Sequence, residues 1–177
     1  FEKNKAYYGN NHWIIKRNIS VLAESLKRAF IIRKDDFVSR SDAGQLVPER
    51  LWKIGRTDDD KLFNRKKRSE DSEFVIDVLI DSSGSQAGRQ AQVAAQGYII
   101  SEALSQAGIP HRVTGYCAFW GYTVLQRFRD YEDPRETNER IFQFRAYANN
   151  RDGLALKTVC SSLMERPEKN KILIVLS

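Results

Sequence analysis

The stretch IDVLIDSSGSQAGR, Ile76–Arg89, decides how the chain reads. An aliphatic, β-branched run around a lone acid, Asp77, stops at Asp81, and Ser83 and Ser85 follow at alternate positions. A short apolar run bounded by turn residues is the mark of a buried strand. Its end therefore presents one carboxylate and two hydroxyls on a turn that Gly84 allows to bend sharply. Small, hard cations such as magnesium take oxygen ligands and keep several waters. Three oxygen donors at one strand end suggest such an ion, and neutral hydroxyls would leave it electrophilic enough to accept a partner's carboxylate.

Outward from this stretch the chain alternates. QAQVAAQGYIISEALSQAG reads as a helix ending at Gly108, HRVTGYCAF as a second strand, Gly153 to Met164 as a helix, and KILIVLS as a third buried strand. Between them, the region through Tyr131, Glu132, Asp133 and Pro134 reads as looser chain, and Asn138 to Ala148 as helical. Near-continuous apolar strands alternating with helices are the grammar of a parallel α/β sheet, whose sites lie at the carboxyl ends of the strands. Asp81 to Ser85 falls at such an end.

Upstream, Ile15, Ile19, Leu22, Leu26 and Ala29 recur at helical spacing, predicting a helix over Asn11 to Ile32 with one apolar stripe. Gly44, Pro48 and Gly55 punctuate the next segment into turns, short strands or a short helix over Pro48 to Ile54. Asp58 to Ser72 is almost devoid of apolar residues and reads as a solvated linker, its RKKR flanked by acidic blocks that cancel the field phosphate binding requires. The expected division is an N-terminal helical extension and linker over residues 1–72 and an α/β domain over 73–177.

Composition excludes some classes. With 41% hydrophobic and 29% charged residues in 177, the chain reads as a globular domain without an apolar run of membrane-spanning length or a signal-peptide core. Two histidines and two cysteines make a Cys/His zinc site hard to build, and Cys117 and Cys160 read as buried free thiols of a reducing, cytoplasmic compartment. The net charge of +6 permits acidic partners without requiring them.

Other readings compete for Asp81 to Ser85. A nucleophile elbow needs Gly-x-Ser-x-Gly, which is absent, and a phosphate-binding loop needs a lysine, of which there is none between Asp81 and Arg112. Alternatively, Asp81 and the serines merely cap the following helix. Asp77 lies about a dozen ångströms down the strand from Asp81, so it is expected to meet a polar neighbour in the sheet. Tyr116, Phe119, Trp120 and Tyr122 are expected to cover core, and Asp130, Glu132 and Asp133 to form a solvated turn.

The stretch FVIDVLIDSSGSQAGRQAQVAAQGYIISEALSQAGIPHRVTGYCAF resembles the opening of a von Willebrand factor type A domain, whose metal-ion-dependent adhesion site begins with this Asp-x-Ser-x-Ser. NRDGLALKTVCSSLMERPEKNKILIVLS, with LKRAF and SDAGQLVPERLWKI before the domain, is similar to the subgroup of the cobaltochelatase T subunit and of NorD-type nitric oxide reductase activation proteins. The resemblance implies a Rossmann-like three-layer parallel sheet and a magnesium (or other divalent cation) site built on Asp81, Ser83 and Ser85. Asp152 takes the place of the usual second-loop threonine, and Thr158 lies too far into the next helix to substitute. Gln86 stands where the family often has methionine. A third loop would begin with an aspartate after Ser177, so the domain is expected to be incomplete at its C-terminus.

The resemblance further implies a non-catalytic protein-binding module. Its partners would be a MoxR-type or chelatase-type AAA+ ATPase and a target metalloenzyme, with nitric oxide reductase activation ahead of cobalt insertion because the segment from Cys117 to Asn149 is short. Membrane insertion and nucleic-acid binding are not expected. A metal-dependent hydrolase using Asp81 and Asp152 is the alternative of another class, and it lacks an obvious base. Nucleic-acid binding would require RKKR, Arg127, Arg129, Arg135, Arg140 and Arg145 to converge on one face.

Overall fold

A computed structural model describes residues 1–31, 37–41, 45–53, 62–67, 74–147, 149 and 152–177. Two compact units form, one from Phe1–Arg28 together with Ser72–Ser177, the other from Ala29–Asp71. In chain order the elements are α1 (Glu2–Asn10), α2 (His12–Ile31), β1 (Phe37–Ser41), β2 (Gln45–Leu46), β3 (Phe63–Lys67), β4 (Phe74–Asp81), α3 (Gln90–Ala107), β5 (His111–Phe119), β6 (Tyr122–Arg129), α4 (Asp152–Met164) and β7 (Asn170–Leu176). Short 3-10 turns occupy Pro48–Lys53, Gly84–Arg89 and Arg135–Gln143. No helix among the described residues is long and apolar enough to cross a membrane.

The larger unit is an α/β fold around a four-stranded sheet of order β6-β5-β4-β7. β4 pairs in parallel with β5 and β7, and all eight of its residues are buried, as its apolar run demands. Side chains alternate across the sheet. Leu79 packs with Tyr116, Ala155 and Val159 on the α4 side. Ile80 meets α3 on the other, where a β-carbon on Gly97 would lie 2.8 Å from its Cδ1. α3 ends at Gly108 in the left-handed conformation, φ 70°.

Of the expected α2 stripe, Ile15 and Ile19 are buried and pack with Ala95, Tyr98 and Ile99 of α3, Leu22 and Leu26 are half-buried and Ala29 is exposed, while Ala23 is buried in addition. An unanticipated helix, α1, precedes it. Its Asn4 is buried and donates to the carbonyls of Phe142 and Phe144, both at 2.9 Å, so α1 is pinned beside the 3-10 turn.

Five expectations change. The looser region after Phe119 contains β6, antiparallel to β5 across a two-residue turn of Trp120 and Gly121, whose φ values are 47° and 85°. Both turn residues in the left-handed region is the hairpin geometry that matches strand twist. Phe119 and Tyr122, the last strand pair, and Trp120 in the turn therefore stand at the hairpin tip and are 52, 76 and 85% exposed instead of covering core. β7 is an edge strand with Ile172 and Val175 half-exposed, because it has β4 on one side alone among the described residues. Cys160 is exposed, on the outer face of α4. Within Asp58 to Ser72, Phe63–Lys67 forms the middle strand of a small antiparallel sheet, β1-β3-β2, since pairing is a backbone property that needs no apolar side chains. The rest of that segment lies outside the described residues apart from Leu62.

Candidate functional site

The end of β4 gathers the three oxygen donors. Asp81 is buried, and its Oδ1 accepts the Ser83 backbone N–H at 2.8 Å while its Oδ2 accepts the Ser83 hydroxyl at 2.9 Å. The Ser83 and Ser85 hydroxyls are 2.8 Å apart. Ser83 opens the 3-10 turn Gly84–Arg89, yet its side chain makes no capping bond to that turn. The hydroxyl is committed to Asp81 and Ser85, so helix capping does not account for it. Ser82 points elsewhere, its hydroxyl close to the α-carbon face of Gly115, which is why the donors fall at alternate positions.

β5 organises the second half of the site. Tyr116 is the strand partner of Asp81, and its buried phenol donates to Asp152 Oδ1 at 3.0 Å. Burial pushes the Tyr116 pKa up, and the hydrogen bond to Asp152 and the charges of Asp81 and Asp152 push the same way, so the phenol remains a donor. Once β4 turns away, Asn149 takes its place beside β5: Ala118 N–H donates to Asn149 O at 2.6 Å, and Asn149 N–H returns a bond at 3.1 Å. Tyr147 N–H donates to Ser82 O at 2.8 Å, tying the chain leading to α4 onto the first loop. Asp152 thus sits at the first turn of α4, exposed, and hydrogen-bonded to Tyr116, the strand partner of Asp81.

The donor set fits a small hard cation. Magnesium holds its ligands at about 2.1 Å in an octahedron, whose adjacent oxygens lie about 2.9 Å apart. The contacts from Asp81 to Ser83 and from Ser83 to Ser85, ordinary O–H···O hydrogen bonds, keep the three groups close enough together to share one ion. Two carboxylates and two hydroxyls supply the candidates, and among the described residues no group of three or more His, Cys, Asp and Glu side chains does so. Ser85 and Asp152 are exposed while Asp81 and Ser83 are buried, which leaves one side of the arrangement open to a partner.

The remaining candidates have other duties. Thr158 is exposed, and its hydroxyl donates to Leu154 O at 2.9 Å. Gln86 is buried and accepts from Arg89 Nε at 2.8 Å. Asp77 is bound by Arg112, at 3.1 Å from Nε and 2.5 Å from Nη2, and by the Tyr131 hydroxyl at 2.7 Å. His111 pairs with Ile76, five residues before Asp81, and its ring is fully buried between Ile109 O and the Ser101 hydroxyl. Asp130 and Asp133 close a turn, Asp130 N–H donating to Asp133 Oδ2 at 2.9 Å. Arg129 is buried against Asn138, Arg135 pairs with Glu102 and Arg127 with Asp130, so these arginines do not converge on one exposed face. Tyr116 is the site residue that sequence reasoning missed. Its only signal is the strand register that sets it against Asp81.

The sheet, its two helical layers and the Asp-x-Ser-x-Ser strand end make an α/β, Rossmann-like fold of the von Willebrand factor type A kind. Residues 62–132 match the family model described as "Cobalamin biosynthesis protein CobT VWA domain", a span that includes Asp81, Ser83, Ser85 and Tyr116 and stops before Asp152. The chain is also similar to a protein of Bacillus subtilis (strain 168) named "Uncharacterized protein YojO", at 24% identity over 127 residues. That alignment covers 66% of this chain and 20% of the relative, so the chain spans about a fifth of that protein's length.

Proposed function

We propose that the β4 end is a magnesium-dependent docking point that binds a carboxylate of a protein partner without turning it over. The observation that carries this reading is the convergence of the Asp81 carboxylate with the Ser83 and Ser85 hydroxyls at the end of β4, the Ser83 hydroxyl committed to these two rather than to the helix it precedes. Asp81, Ser83, Ser85 and Asp152 would hold the ion, which when bound supplies positive charge to an incoming carboxylate. Tyr116 orients Asp152 by its hydrogen bond, and the buried Asp81 fixes Ser83. The match to the CobT domain supports a chelatase-type setting in which this module works with an AAA+ ATPase to load a metal into a target. Activation of nitric oxide reductase is the second reading, favoured by the compact path from Cys117 to Asn149, which holds one hairpin and one 3-10 turn. A hydrolytic role would need a general base, and His111 is committed to buried partners five strand positions away from Asp81.

Calorimetric titration of magnesium into the chain and into an Asp81→Ala/Ser83→Ala variant tests the proposal. Saturable binding that disappears in the variant is expected. Absence of binding by a folded parent protein would sink it.

A further inference from the structure

The outer edge of β6 is an independent feature that the metal site does not use. β6 borders the sheet, with β5 its only strand partner among the described residues. Ala118 turns both its N–H and its carbonyl to Asn149, away from β6. Its cross-strand partner Thr123 therefore forms a non-hydrogen-bonded pair with it and turns its own N–H and carbonyl to the free edge. Leu125, two residues on and opposite Tyr116, repeats that direction.

The half of this edge nearest the hairpin tip is unusual for a border strand, since the arginines and the bulge of β6 lie at its other end. Natural edges are blunted by charge, proline or bulges. Here Trp120 and Tyr122 are 85 and 76% exposed, and Val124 is 40% exposed, an apolar run that begins at the hairpin tip. Tyr122, Val124 and Gln126 share one face, and Gln126 lines a cavity of about 800 Å³ with Gln90, Arg145 and Tyr147. Trp120 holds φ 47°, a conformation a bulky residue rarely adopts, so the fold keeps a large ring at the tip at an energetic cost. The cavity offers one sign of charge: exposed Arg145 lines it and, among the described residues, no acidic side chain does, whereas Arg127 is paired with Asp130 and Arg129 is buried.

We propose that the β6 edge and its hairpin tip bind an extended acidic segment of another protein, added as a further strand. Its backbone pairs with Thr123 and Leu125, an apolar side chain rests on Trp120 and Tyr122, and an acidic one reaches the glutamine-lined cavity and Arg145. Main-chain pairing supplies affinity in this mode and alternate side-chain pockets supply specificity. A second copy of the chain is disfavoured because its own β6, YTVLQRFR, carries no acid to offer Arg145. This site goes beyond the metal-dependent docking point and needs no cation.

Fluorescence anisotropy tests it with a fluorescein-labelled peptide alternating leucine and glutamate, and with its lysine counterpart. The acidic peptide should bind saturably, equally well in EDTA, and more weakly as salt rises, while the lysine peptide should not bind. Trp120→Ser/Tyr122→Ser should weaken binding by at least about tenfold. So should Leu125→Pro, which removes an outward N–H that an edge strand can forgo, with circular dichroism and thermal midpoint close to the parent. Equal binding by the variants, no binding of the acidic peptide, or loss of binding in EDTA would overturn the proposal. So would a parent protein that sediments as a dimer which the same substitutions dissociate, since the occupant would then be a second copy. The EDTA arm separates this outcome from failure of the metal site.

Discussion

Replacing Asp77 with asparagine should be among the most damaging single changes outside the Asp81–Ser85 loop. The Asp77–Arg112 pair is nearly sealed, with side chains 2 and 7% exposed. Asparagine keeps the shape but removes the charge, and it sets an amide NH2 or a single neutral oxygen against donors from Arg112 and Tyr131. Arg112 cannot shed its proton. Its remaining partners would be the Ser162 hydroxyl at 2.9 Å and the Tyr131 ring, 4.9 Å from its guanidinium carbon. Neither carries negative charge. Breaking a buried pair by removing one partner costs about 3–5 kcal/mol. For a chain of this size that lowers the thermal midpoint by roughly 6–20 °C. Arg112→Met should cost a similar amount by stranding the carboxylate, whereas the double variant should cost less than the sum. Urea unfolding followed by circular dichroism, run as a double-mutant cycle, gives the coupling directly. A loss below about 1 kcal/mol for Asp77→Asn, or additivity within about 0.5 kcal/mol, would refute the idea that this pair staples β4 to β5.

Other predictions rest on separate features. Burial lowers the His111 pKa to about 4 against 6.5 for the exposed group, so between those values the unfolded chain binds more protons and stability falls as pH falls. The total loss approaches about 3 kcal/mol below pH 4, and His111→Gln should flatten that limb relative to the parent in urea melts across the window. Gly97→Ala would place a methyl 2.8 Å from Ile80 Cδ1 and 3.3 Å from Ile141 Cγ2. Overpacking of about 1–3 kcal/mol outweighs the roughly 1 kcal/mol gained in helix propensity, so equilibrium unfolding should show net destabilisation. Asn4→Ala strips donors from two buried carbonyls, at about 2–3 kcal/mol, and limited proteolysis should then cut first near α1.

What could be read from the sequence, and what could not, follows the range of the signals. β4, α3, β5 and α4 were legible because each carries its own periodicity, and the site's first loop because Asp81, Ser83 and Ser85 lie within five residues of one another. β6 escaped because YTVLQRFR mixes arginines into an edge strand whose identity comes from pairing with β5. α1 escaped for a similar reason, since no face of EKNKAYYGN is apolar throughout and Asn4 finds its partners 138 and 140 residues away. Asp77 and Tyr116 show the same division inside the site region. Both face the α4 side of the sheet, as do Leu79 and Asp81, but only register decides which of them meets a cation, a phenol or an apolar neighbour. Asp77 lies opposite Arg112 and is neutralised by it, which leaves Asp81, opposite Tyr116, as the carboxylate of this strand with no basic side chain among its hydrogen-bond partners. The strand thus separates an arginine-paired acid from one without a basic partner by four residues. If that separation is what directs a cation to Asp81, Asp77→Asn should destabilise the fold yet leave magnesium affinity per folded molecule unchanged. A parallel loss of affinity in calorimetry at a temperature where the variant is folded would show that the two carboxylates act as one site.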